Sequence, residues 1–213
     1  MTKALRKAVG ALYKSFACQK RPSSIPWCTC KICSEGQNIS VLLSKPLRLL
    51  TPDDLTFYAE SVFLTVGSQT DFKYFLPRIL EVLASECDWW PSPEVVGSRI
   101  NDCGWNDFSI GQQNAIKAFF REVLISLIEA RNGRAIDQWI CGTAACVPVI
   151  QPYLSLLEKD PLALITFYEQ NSYSLAKGKL SNSFWKGQSG NKKLILGWFQ
   201  SNRVKTLIDA PNG

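Results

Sequence analysis

Apolar residues recur at helical spacing along almost the whole chain. At the start, Leu5, Val9, Leu12 and Phe16 share one helix face, with cationic residues between them. Leu55, Tyr58, Ala59, Val62, Phe63 and Val66 mark the next face. Thr51 suits its N-cap, Pro52 its first helical position and Gly67 its stop. Asp53 and Asp54 fit the positive end of that helix and read as first-turn caps rather than catalysts. Phe72, Phe75, Leu76, Ile79, Leu80 and Leu83 repeat the pattern, with Pro77 inside it expected to kink or split the helix. Ser92 and Pro93 give a second cap-then-proline start. Ser109 and Gln112 have the spacing of a capping box at the head of the longest segment. Its buried stripe is Ile116, Phe120, Val123, Leu124, Leu127 and Ile128, and Gly133 is its expected exit. A shorter helix before Pro148, a turn or two from Pro152 to Asp160, and a helix capped by Asp160 and Pro161 follow. One final helix turns Ile195, Trp198 and Phe199 inward.

No run alternates convincingly as a strand, and no hairpin signal appears. The expected fold is all-α: an irregular helical bundle or a short HEAT-like stack of about eight or nine helices, in one domain spanning 1–213. Within it, 1–48 form a basic N-terminal helix plus a Cys-rich loop, and 49–213 the main helical stack. At 213 residues the chain is long enough to bury a substantial core. No apolar run approaches the length of a membrane span. The N-terminus is basic and amphipathic but lacks the apolar centre and cleavage site of a secretory signal, so a cytoplasmic location is expected.

Charge adds a polarity that the periodicity does not contain. Residues 1–48 carry nine Lys/Arg and one acidic residue, a balance of +8; residues 49–102 carry three and nine, a balance of −6. Residues 164–213 return to +5, and the whole chain stands at +6. Either end can meet a charged partner. Few stacking aromatics are interleaved with the basic residues, which argues against nucleic acid.

The chain contains no histidine. That excludes zincin helices, Ser-His-Asp triads and Cys-His pairs. No Walker loop and no GxGxxG occurs, so the expectation is a protein that is not an enzyme. The strongest local signal is PWCTCKIC at residues 26–33. Zinc takes four thiolates in a tetrahedron, often with two ligands in a C-x-x-C step. Cys30 and Cys33 have that step, Cys28 adds a third thiolate, and Cys18 stands ten residues upstream behind RPSSIP, a rigid segment suited to folding it back. Cys103 or Cys87 are alternative fourth ligands, and Lys20, Arg21 and Lys31 would offset the negative charge. The same residue types also serve an iron–sulfur cluster, a redox pair or an unligated reduced loop. The metal reading is structural zinc. Cys141 and Cys146 have apolar neighbours and read as small core residues.

A second cluster mixes aromatics with acids: Asp88, Trp89 and Trp90, then Asp102, Trp105 and Asp107. Trp is enriched in interface hot spots, so these six are candidate partner-binding residues; the alternative is that the indoles close the core at helix ends.

Arg21-Pro22, Cys28, Cys30, Leu47-Arg48, Tyr58-Ala59, Thr65, Gly67 and Phe75-Leu76-Pro77-Arg78 resemble a family of small, mostly uncharacterised all-helical bacterial proteins. The shared pattern is an RP…C-x-C loop and an FLPRILE helix, over about residues 21 to 83. Some of these proteins resemble immunity proteins of polymorphic toxins. The resemblance implies a protein-binding antidote that occludes a bacterial effector, with the net charge suiting a neutral or acidic toxin unless the −6 segment makes the contact. The alternative from another class is a metal-stabilised regulatory or nucleic-acid-binding adapter. Oligomeric state is not legible.

Overall fold

The computed structural model describes residues 1–34, 37–187 and 189–210. Among them are twelve α-helices and no sheet. They are α1 (Lys3–Ser15), α2 (Lys31–Ser34), α3 (Ser40–Ser44), α4 (Pro52–Ser61), α5 (Gln69–Ser85), α6 (Pro93–Asp102), α7 (Ile110–Glu129), α8 (Gly133–Cys146), α9 (Gln151–Leu157), α10 (Pro161–Leu175), α11 (Ser189–Gln200) and α12 (Asn202–Asp209). The all-helical expectation holds. No described helix is long and apolar enough to cross a membrane.

Most helix starts are the ones the sequence specifies. Thr51 accepts from the Asp54 amide while Asp54 accepts from the Thr51 amide, a reciprocal cap. Ser109 and Gln112 do the same for α7, and Asp160 caps α10. Three boundaries differ from expectation. The final segment breaks into α11 and α12 because the Ser201 hydroxyl accepts from the Val204 amide, placing a cap inside an apparently continuous pattern. Helix α7 leaves not at Gly133 but through Arg131, at φ +55°, with Arg131 and Asn132 amides returning to the Ile128 and Leu127 carbonyls. Helix α4 stops at Ser61, six residues before Gly67. Pro77 does not split α5, which runs unbroken with that residue buried in its middle.

The core is one continuous cluster of buried side chains reaching from Leu5 to Val204. Helix α1 packs against α7 and α5, a long-range contact that a purely sequential stack does not make, so the architecture is an irregular bundle. Helix α8 is central, touching α6, α7, α10 and α11. Its closest neighbour is α6. There Gly97 faces Gly142 so tightly that a Cβ on either would overlap backbone, the Gly142 carbonyl in one case and the Pro93 carbonyl in the other. Two glycines let these helices approach at backbone distance.

Part of the charge asymmetry is used inside the molecule. Lys45 of the basic segment pairs with Asp54 at 2.7 Å. The Arg48 guanidinium lies 3.7 Å over the Tyr13 ring, and the Tyr13 hydroxyl donates to Glu81 at 2.6 Å. Arg78 donates to the same Glu81 and to the Leu50 carbonyl. Arg21 donates to the Leu43 and Lys45 carbonyls. Lys45, Arg48 and Arg21, three cations that a nucleic-acid adapter would need, are thus engaged internally.

Candidate metal centre and partner surface

The Cys loop is seated on the turn after α4. Val62, Phe63 and Val66 continue the helical pattern, yet their backbone is diverted. Cys28 N–H donates to the Thr65 carbonyl at 2.7 Å, Gly67 N–H donates to the Pro26 carbonyl at 2.7 Å, and Trp27 pairs with Val66 as an isolated antiparallel bridge. Phe63 takes φ +66° and Gly67 φ +83° to make that turn. At Gly67 a Cβ would stand 2.8 Å from Val62 Cγ2 and 3.1 Å from the Tyr58 ring, so the position requires glycine. Below it the Tyr58 hydroxyl donates to Asp71 at 2.7 Å in a buried pair. Cys28, Thr65, Gly67 and Tyr58 therefore meet at one junction between the loop and the turn joining α4 to α5.

This seat brings three sulfurs together. The Sγ atoms of Cys28, Cys30 and Cys33 all lie within 4.8 Å of one another. Cys33 N–H donates to the Cys30 carbonyl at 3.0 Å, closing the single turn of α2. Hydrogen bonding by the Cys28 thiol, then by the Cys33 amide and thiol, holds the Cys30 thiol below the ordinary range. The Cys33 thiol is pushed up to about 11, chiefly because it hydrogen-bonds Cys30 and Cys28. Three sulfurs this close together are an arrangement that can hold a metal ion, and ligation would displace the thiol protons.

Cys18 is not part of this cluster, which corrects the expected four-cysteine set. It ends exposed beyond α1, in a small cavity with Lys73 and Asp107. The reason lies in RPSSIP: Arg21 is tied to the Leu43 and Lys45 carbonyls and Ile25 is buried, so the segment leads away from Cys18 instead of folding back over it. Cys103 is buried in the core and Cys87 is exposed beside Asp88; neither joins the three. Cys141 and Cys146 are buried as expected.

The six candidate partner residues do not form one patch. Asp88, Trp89 and Trp90 precede α6, Asp102 is its last residue and Trp105 and Asp107 follow it, so a helix about 15 Å long separates the groups. Trp89 is half-buried and its indole N–H donates to Thr56 and to the Pro52 carbonyl, which closes the head of α4. Trp90 is 49% exposed. Asp107 accepts from Gln69 through its carboxylate and from Lys73 through its carbonyl. Asp102 pairs with Arg99 at 3.1 Å.

Asp102 and Trp105 do line something. They form one wall of a cleft of about 680 Å³ whose other walls are the C-terminal end of α8, the turn carrying Phe184, and the start of α11. Asn191 spans that floor, donating to the Ala144 and Val147 carbonyls at 2.8 and 3.1 Å and so capping α8. Phe184 and Leu194 reach the surface beside it. Pro148 belongs both to this cleft and to a second one of about 280 Å³ between α7 and α9. Sequence reading missed the second cleft, although Lys117 and Arg121 at i, i+4 on α7 and the Pro148/Pro152 pair were visible signals.

Compared with family models, with curated proteins and with solved structures, the chain matches none. The chemistry of the site rests on its own geometry.

Proposed function

We propose that this chain is a non-enzymatic, cytoplasmic protein-binding protein of the immunity type, which neutralises a bacterial effector by occluding it. The observation that supports this reading is the 680 Å³ cleft. Several elements build it, a half-buried indole and a carboxylate line it, and Phe184 and Leu194 flank it. Surfaces of this make-up, with aromatic anchors inside a polar rim, are what protein partners bury. The absence of histidine is consistent with a role that needs complementarity and no proton relay.

In this reading the Cys loop binds structural zinc. Thiolates 2.3 Å from a tetrahedral zinc stand about 3.8 Å apart, so the three sulfurs, already within 4.8 Å of one another, need only a small contraction to take three of the four positions. A polynuclear iron–sulfur cluster spreads its thiolates over several irons and fits this spacing less well. The loop hangs from the 62–67 turn through backbone hydrogen bonds, and a metal there holds the loop's shape.

Co-expression with the product of the adjacent gene tests the central claim. Wild-type protein is expected to restore growth and co-purify, whereas Asp102→Lys combined with Phe184→Ala weakens the complex at least tenfold. No complex and no rescue would overturn the reading. Elemental analysis of purified protein tests the metal separately: one zinc per chain is expected, lost in Cys28→Ser.

A further inference from the structure

We infer that the 280 Å³ cleft between α7 and α9 is an anchoring pocket for a segment of the protein partner in which an apolar side chain stands next to a carboxylate. This rests on the protein-binding reading above and adds the chemistry of what is bound.

The floor of the cleft is apolar and fixed. Pro148, Val149 and Pro152 form it with Ala118, and two prolines hold the backbone torsions of the turn that enters α9. Tyr153 lies beneath, buried, its hydroxyl donating to the Lys117 carbonyl at 3.2 Å and locking α9 to α7. Val149 nonetheless presents 58% of its surface to solvent. A rigid, uncovered apolar floor binds without an ordering penalty, the property that separates an anchor pocket from a casual dent.

The rim supplies the selectivity. Both charged residues lining the cleft, Lys117 and Arg121, are cationic, and their i, i+4 spacing puts them on one face of α7. Lys117 Nζ sits 5.6 Å from the Trp105 ring, held at the boundary with the larger cleft. Arg121 gives one N–H to Glu122 at 2.6 Å, and its forked guanidinium has further donors to offer a carboxylate. An apolar group entering here would bring its flanking residue up against this rim, where an acid is paired and a base repelled. The chain's net charge of +6 acts in the same direction, drawing an acidic partner toward it.

The test uses the full chain, labelled with nitrogen-15, and two probe hexapeptides, Gly-Asp-Phe-Leu-Asp-Gly and Gly-Lys-Phe-Leu-Lys-Gly. The acidic peptide is expected to shift the amides of Lys117, Ala118, Val149 and Tyr153 and to bind at least tenfold tighter than the basic one. That gap narrows as salt is raised. Charge reversal, Lys117→Glu with Arg121→Glu, inverts the preference; Val149→Asp abolishes binding of both while the dispersion of the spectrum shows the fold intact. Equal affinity for the two peptides, shifts confined to other residues, or no shift at millimolar peptide would overturn the proposal. An effector complex that leaves these four amides unmoved would overturn the pocket alone. Peptide binding here without growth rescue would retain the pocket and overturn the neutralisation role.

Discussion

The Cys loop, residues 18–50, and the α6–α8 pair are held by opposite means. Between residues 18 and 50 the buried apolar side chains are Ile25, Leu42 and Leu50. The loop is fastened instead by backbone hydrogen bonds to the 62–67 turn, by Arg21 on two carbonyls and by the Lys45–Asp54 pair. The α6–α8 pair is dry and close, with glycine against glycine and Val96, Ile100, Ile140 and Cys141 buried around the crossing. The cysteines of the two regions divide along the same line. Cys103, Cys141 and Cys146 are buried thiols of the core, whereas Cys18, Cys28, Cys30 and Cys33 stay at least partly open to solvent. Few buried side chains ordering a long segment is the situation in which a metal contributes most to local stability.

The largest effect is expected at the helix crossing. Gly142→Val drives its side chain into the Pro93 carbonyl, and neither backbone can give way without separating α6 from α8. A loss of about 3 kcal/mol is expected, at the upper end of overpacking costs. Denaturant titration would register it as a lower midpoint for the whole protein. If Gly142→Val leaves the midpoint in place, the close-packed picture of that crossing is wrong.

Removing the proposed zinc is expected to act on the other region alone. With chelator, or in Cys28→Ser, the amides of Cys28 and Gly67, which are donors in the loop-to-turn bonds, exchange ten- to a hundredfold faster. That corresponds to about 1.4–2.7 kcal/mol of local stability. Amides of α8 keep their protection. Uniform acceleration across both regions would mean that the loop is part of the global folding unit, and the contrast between the regions would fall.

How much of this the sequence declares depends on how local the cause is. Helix starts are legible because a cap and its partner sit three residues apart, as at Thr51 and Asp54. The end of α4 is not, because the acceptors and donors that divert residues 62–67 belong to Pro26 and Cys28, far upstream. The break at Ser201 had a local signal, a serine before asparagine, hidden under an unbroken apolar pattern. The charge blocks were legible as blocks, but part of their partner is the molecule itself: Lys45 meets Asp54, and Arg48 reaches Glu81 through Tyr13. Of the candidate ligands, Cys28, Cys30 and Cys33 were given by spacing alone. Cys18 depended on the path of a loop, and that path is set by Arg21 and Ile25. The tryptophans split the same way, since Trp89 is committed to the head of α4 while Trp105 reaches the larger cleft.

The smallest expected effect reads a buried thiol of the core by pH. Burial pushes the Cys103 thiol up to about 11 from an ordinary value near 9. Below pH 9 the folded and unfolded chains both keep that proton, and stability does not depend on it. Between 9 and 11 the unfolded chain releases the proton and the folded chain does not, so the unfolded state gains and stability falls. Above 11 both are ionised and the fall ends. At pH 10 the loss attributable to Cys103 is about 1.4 kcal/mol, one pKa unit of linkage. Cys103→Ala lowers stability at neutral pH by opening a small cavity, but its curve from pH 8 to 10 is expected to be flatter than wild type by that amount. Equal slopes for the wild type and Cys103→Ala would mean that Cys103 ionises freely in the folded protein, and that the base of α6 is open to solvent in the way the Cys loop is.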